Sequence, residues 1–220
     1  MTINHHPNDE LILDYASGAL GEAWSLAVAT HIAICPDCRH TSSLMEGIGG
    51  TLLDAAALEP VNDNAFDALS VRIKNVEQDV RNRKLTECAS ATILVFPQPL
   101  REYVGSDIEG VEWKRLGMGA RQKIIPTAEK GATARLLRIP AGRPVSVHSH
   151  KGLELTLVLC GAFSDSTGHY GVGDFQEANE ELQHQPHAAP EGDCICLVVT
   201  DAPLRFKSFA ARLAQPFLKI

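Results

Sequence analysis

Long apolar runs are missing from this chain. No stretch reaches the ~18 residues that a membrane-spanning helix requires, and the longest candidates are interrupted by His, Thr or Cys. The opening residues MTINHHPNDE carry neither a basic segment nor an apolar one. A secretory signal is therefore not expected, and the cytoplasm is the expected compartment. In that reducing setting the six cysteines are expected to be metal ligands or free thiols rather than disulfides. Basic charge is scarce as well. Residues 1–70 hold ten acidic side chains against one basic residue, Arg39, within a chain whose net charge is −7. A surface of that sign repels phosphate and attracts basic protein surfaces. It argues against nucleic-acid binding by this half, the plainer alternative being simple solubility.

The 220 residues, 45% of them hydrophobic, suit two domains of about 100 residues each. Residues 8–83 have helical periodicity. Asn8 or Asp9 can cap a short helix ending near Gly18, and a second spans about Leu20 to Ile34. Pro36 fits the first position of a third helix, which Gly49-Gly50 weakens enough to permit a break. Past a loop at Glu59-Pro60, Phe66, Leu69, Ile73, Val76 and Val80 form a narrow apolar stripe on a polar fourth helix. Such a stripe packs on its own bundle or docks on a partner. From about Ala89 the period shifts to two, with strands expected at Thr133–Ile139, Leu153–Cys160, Cys194–Thr200 and Leu204–Phe209. Short strands divided by Gly, Pro and Asp turns indicate a sandwich or barrel. The expected fold class is thus two domains, an N-terminal all-α bundle and a C-terminal all-β barrel. The boundaries are 1–85 for the helical domain, 86–95 for the linker and 96–220 for the barrel.

Two constellations carry metal chemistry. The first, His31-Ile-Ala-Ile-Cys35-Pro-Asp-Cys38, spells H-x3-C-x2-C. Four-residue spacing puts His31 and Cys35 on one helix face. Pro36 then turns the chain and Cys38 falls in the next helix's first turn, where the amide dipoles favour a thiolate. A tetrahedral Zn2+ needs a fourth ligand. His6 is the first choice, then His5, then His40. A redox Cys-x-x-Cys pair is the alternative, but no βαβ pattern surrounds it. This segment resembles the zinc-containing anti-sigma domains of bacteria, which carry H-x3-C-x2-C between two helices and a further upstream His. The resemblance implies binding to an ECF-type sigma factor, with helix 66–80 as a separate arm on the partner and Phe66, Leu69, Ile73 and Val76 as its contact residues.

The second constellation is G-x5-H-x-H-x3-E-x6-G from Gly142 to Gly161. His148, His150 and Glu154 share one face of a continuous strand, with Leu153, Leu155, Leu157 and Leu159 on the other. Two imidazoles and a carboxylate suit Zn, Fe, Mn or Ni. With Gly173-Asp174 and His184 downstream, the segment resembles the two cupin motifs, which implies His148, His150, Glu154 and His184 as ligands in a jelly-roll barrel. Asn179 and Glu181 stand where those motifs carry Pro and Gly, and His187 is the fallback ligand. The order of the two halves is similar to the ChrR family of anti-sigma factors. That resemblance implies Zn2+ at both sites, with another divalent metal as the cupin alternative. It also implies an ECF-type sigma partner released under oxidative, especially photooxidative, stress, with no direct contact to nucleic acid or membrane. The competing function is a metal-dependent cupin enzyme, an oxygenase or isomerase with an accessory zinc domain. Cys194 and Cys196 face one side of a strand, as core packing or as redox thiols near the metal.

Overall fold

The computed structural model describes residues 2–82, 94–128 and 130–206, and for 75–82 the backbone alone. The expected linker at 86–95 and Cys88 lie largely or wholly outside the described residues. So do the side chains of Val76 and Val80 and the end of the expected 204–209 strand. Five α-helices are described: α1 (Asp9–Ala16), α2 (Glu22–Ile34), α3 (Pro36–Asp54), α4 (Ala65–Asn82) and α5 (Gln98–Val104). Asn8 caps α1 by accepting the amide hydrogen of Leu11 at 2.8 Å, and Gly18 just beyond it takes φ +74°, which favours glycine. One open option is closed and one expectation is corrected. The third helix runs unbroken through Gly49-Gly50 to Asp54; each helical glycine costs only ~1 kcal/mol. A fifth helix, α5, precedes the barrel where strand periodicity was expected. Pro97 opens it and Gly105 closes it at φ +77°.

Twelve strands follow: β1 (Lys114–Gly117), β2 (Ala120–Ile125), β3 (Thr133–Ile139), β4 (His148–Ser149), β5 (Glu154–Cys160) and β6 (Phe163–Asp165), then β7 (Gly168–Tyr170), β8 (Phe175–Ala178), β9 (Gln183–His184), β10 (His187–Ala188), β11 (Cys194–Thr200) and β12 (Arg205–Phe206). A six-stranded sheet has the order β1-β2-β3-β11-β5-β8, and two three-stranded sheets, β10-β6-β7 and β12-β4-β9, complete the barrel. Every pairing is antiparallel.

The described chain falls into two compact units, one formed by residues 1–49 with 94–220 and the other by residues 50–93. In the first, the pleat of the large sheet separates two cores. Leu136, Leu155, Leu157, Ile195, Leu197 and Val199 point outward and pack with Leu26, Ala27 and Val28 of α2 and Leu100 of α5. Ile139, Val158, Cys194, Cys196 and Val198 point inward with Phe163 and Tyr170. Helix α2 is buried around much of its circumference, with Ala23, Leu26, Ala27, Val28, Thr30 and His31 all inaccessible, as a helix covered on several sides must be. Burial of one such Leu or Val contributes about 1.5–3 kcal/mol. This packing brings the His31–Cys35 end of α2 to the β7–β8 turn.

Candidate metal centres

One donor atom each from His6, His31, Cys35 and Cys38 converge so that all lie within 4.8 Å of one another. His6 Nδ1 is 3.4 Å from Cys35 Sγ and 3.3 Å from Cys38 Sγ, and His31 Nε2 is 3.3 Å from Cys38 Sγ. A tetrahedral ion with bonds of about 2.3 Å to sulfur and 2.05 Å to nitrogen gives a nitrogen–sulfur edge of about 3.5 Å. The four donors therefore fit Zn2+ in size, number and chemistry. His5 and His40, the second and third choices, are not in this cluster.

The fourth ligand is delivered by contacts that the sequence reading missed. Asp174 Oδ1 accepts the backbone amides of Asn4 at 2.7 Å and His5 at 2.9 Å. The amide of Phe175 donates back to the His5 carbonyl at 3.0 Å, and Glu177 accepts from the backbone and side chain of Asn8. The N-terminal segment is thus strapped along the β7–β8 turn, which holds His6 over the cysteines. Gly173, at the same turn, takes φ +91°, and a Cβ there would strike Ile3. Its carbonyl accepts from His31 Nδ1 at 3.0 Å. That bond fixes the proton on Nδ1 and leaves the Nε2 lone pair facing the cluster. Burial holds the His31 imidazole neutral, down to about 4, and pushes the Cys38 thiol up to about 12. A cation among the four donors reverses the thiol's preference.

The second group, His148, His150, Glu154 and His184, is buried throughout and equally compact. Its strand is not continuous, which corrects the sequence expectation. His148 belongs to β4 in the small β12-β4-β9 sheet, whereas Glu154 opens β5 of the large one. The chain turns at Gly152, where a Cβ would collide with the Asp201 carboxylate that also accepts the Leu153 amide. The ligands converge across this break because His148 pairs in register with His184 of β9. His187, the fallback, is exposed on β10 and outside the cluster.

His184 Nε2 lies 3.1 Å from His148 Nε2 and 3.2 Å from His150 Nε2. Two of these rings spend their other nitrogen elsewhere: His148 Nδ1 on the Ser146 carbonyl at 2.8 Å, His184 Nδ1 on Asp165 Oδ2 at 2.6 Å. Their Nε2 lone pairs therefore face one another, an arrangement that repels unless a cation sits between them. Nitrogen–nitrogen edges around such an ion are about 2.9–3.3 Å, so this set fits as well. Burial lowers His148 and His150 to about 4 and raises Glu154 to about 7, Arg135 and the Thr156 hydroxyl acting against that rise.

Asp165 was not foreseen. Burial pushes its carboxyl up, but hydrogen bonds from Thr167, Gln176 and His184 outweigh that and hold it at about 2. No spacing in the sequence points to it, since its partner is nineteen residues away. Cys194 and Cys196 are buried with Sγ atoms 3.5 Å apart, and their contact with one another together with burial pushes the Cys196 thiol well up. Trp113 packs against the outer core, and His169 of β7 sits opposite Ser164 of β6 and shares a hydrogen bond with its hydroxyl.

The family described as ChrR cupin-like domain matches residues 102–203. The anti-sigma-E factor ChrR of Cereibacter sphaeroides is 44% identical over 221 residues, covering all of both chains. The chain belongs to the ChrR family. A crystal structure of Rhodobacter sphaeroides ChrR in complex with SigE matches with a TM-score of 0.73 at 42% identity, covering 91% of this chain and all of that one. This ChrR-family chain therefore joins a cupin-like domain to a helical region bearing a His/Cys cluster. Among its described residues no helix is long and apolar enough to cross a membrane.

Proposed function

We propose that this protein is a zinc-dependent anti-sigma factor, in which residues 1–85 bind an ECF-type sigma factor in the cytoplasm. Residues 86–95 act as the linker, and the cupin domain at 96–220 receives an oxidative signal. The observation that carries this reading is the His6–His31–Cys35–Cys38 cluster at the junction of α2 and α3, in a chain related along its whole length to an anti-sigma factor. An ion held there would tie the N-terminal segment, α2 and α3 into one shape and add binding energy to a small helical core.

The surfaces available for a partner fit the role. On α4, Phe66, Leu69 and Ile73 are exposed by half or more, an apolar stripe on an otherwise polar helix. Leu44 and Ile48 of α3 are likewise exposed. The acidic excess of residues 1–70 complements the basic surfaces by which sigma factors meet nucleic acid and polymerase. A regulator has no need of turnover, and the enzyme alternative loses its support with membership of a family of regulators.

Signal reception falls to the His148–His150–Glu154–His184 set, with Zn2+ or another divalent ion as Lewis acid, and to Cys194 and Cys196 as candidate redox thiols. An oxidative change at this set has a bonded route toward the first cluster: His184 to Asp165, Asp165 to Gln176, then along β8 to the turn that grips His31 and the N-terminal segment. The test is co-expression with an ECF-type sigma factor and affinity capture of the full chain. A stoichiometric complex is expected; failure to retain the sigma polypeptide would overturn the assignment.

A further inference from the structure

The barrel encloses a cavity of about 110 Å3 whose walls are largely apolar, with Leu137, Val145, Phe163 and Phe206 among them. That is many times the ~10–15 Å3 needed by one water, and of the order of an engineered ~150 Å3 apolar cavity that takes benzene. His148, Glu154 and His184 of the metal set line it. So does a group with no part in that set, Arg135 of β3. Its side chain is only 6% exposed. Nη1 donates to Gln122 Oε1 at 3.2 Å, but Nε is buried with no hydrogen-bond partner among the described residues. No carboxylate among the described residues forms an ion pair with it within 4.0 Å.

A buried guanidinium with an open donor is costly to keep, and buried donors are nearly always satisfied. Its planar fork matches a carboxylate, which it can hold by two parallel bonds. Charge points the same way. On the reading that the barrel holds a divalent ion, the ion and Arg135 outweigh Glu154 and Asp165 by one positive charge. A monoanion restores neutrality in a site where excess charge is expensive.

We propose that the barrel of this protein binds a small apolar monocarboxylate, with its carboxylate on Arg135 and its hydrocarbon body against Leu137, Val145, Phe163 and Phe206. The class is an aromatic acid of benzoate size or a fatty acid of about four to six carbons. The proposal deepens the sensory reading by giving the cupin domain an organic ligand besides its metal.

The test is calorimetric titration of full-length, zinc-loaded protein with benzoate and hexanoate, each against its neutral alcohol, benzyl alcohol and hexan-1-ol. The acids are expected to bind at least tenfold more tightly than the alcohols. Arg135→Gln should remove that preference, weakening the acids tenfold or more and leaving the alcohols within about twofold. Leu137→Trp, which fills the cavity and keeps the charge, should abolish both. The wild-type comparison decides the matter even if a variant fails to fold. Equal affinity for acid and alcohol, no heat for any ligand at 10 mM, or undiminished acid binding by a folded Arg135→Gln protein would each overturn the proposal. Metal analysis of the same samples reads the metal assignment separately. Acid binding that depends on Arg135 in a protein whose barrel takes up no metal would uphold this site and defeat the metal reading.

Discussion

Asp165→Asn is the perturbation that most sharply tests the second metal centre. The carboxylate is completely buried beside a nearly inaccessible His184 ring, 2.6 Å from Nδ1. It also accepts from the Thr167 amide and hydroxyl at 2.8 and 2.6 Å and from Gln176 Nε2 at 2.9 Å. Every one of these partners is a donor directed at an acceptor-only group. An asparagine keeps one oxygen but turns an NH2 group toward donors, so either His184 and Gln176, which share Oδ2, lose their acceptor or the Thr167 amide and hydroxyl, on Oδ1, lose theirs. Removing such an outer partner of a ligating histidine weakens metal binding about 10–100-fold, equivalent to ~1.4–2.7 kcal/mol. The His6–His31–Cys35–Cys38 site makes no contact with Asp165 and should be unchanged. Competition against a chromophoric chelator would resolve two release steps in the parent. In the variant one step should move by the stated factor and the other should stay. Two unmoved steps would refute the idea that Asp165 orients a ligand.

Cys35→Ser should lose one metal equivalent and weaken sigma capture more than tenfold; capture at parental strength would mean that the cluster is not needed for binding. His148→Ala or Glu154→Gln should keep sigma capture but blunt release by an oxidant, measured as sigma-dependent transcription in the reconstituted complex. In metal-free protein, burial raises Glu154 from 4.5 to about 7. Its folded-state value then lies above its unfolded one, so its contribution is complete below pH 4.5 and is lost as pH rises through 7. The thermal midpoint of chelated Glu154→Gln protein relative to chelated parent should therefore rise between pH 4.5 and 7.5, and a flat difference would contradict the burial argument. His31, His148 and His150 run the other way. Burial lowers each from 6.5 to about 4, so the stability they contribute is full above pH 6.5 and is lost as pH falls through 4. Acid unfolding of the chelated protein should begin in that window. The double variant Cys194→Ser, Cys196→Ser should bind sigma normally, and unaltered oxidant sensitivity would assign the pair to core packing.

Three members of each donor group were legible in the sequence because their spacing is local, whereas His6 and His184 come from distant segments. His31 and Cys35 are one helical turn apart with Pro36 as a punctuation mark, and His148, His150 and Glu154 keep an even register. Sheet faces were legible for the same reason: Leu155, Leu157 and Leu159 pack outward against the helices while Val158 faces the barrel interior. The rest depends on distant contacts. Gly152 breaks the ligand strand because of Asp201, some fifty residues on. The strap at Asp174 binds residues about 170 positions earlier, and nothing near Asp174 or Asn4 in the sequence marks either as the other's partner. Arg135 carries no signal in the sequence, and only the barrel places it on the cavity wall beside Glu154. Residues 1–49 fall in one compact unit with the barrel because α2 is buried on its outer sheet face.

X-ray absorption with metal quantification, on protein purified without chelators, measures two chemically distinct ion sites in one chain together. The donor sets predict two equivalents of zinc per chain and, averaged over the two, one sulfur and three nitrogen or oxygen neighbours per ion. A preparation carrying less than one equivalent, or zinc with no sulfur neighbour, would contradict that prediction.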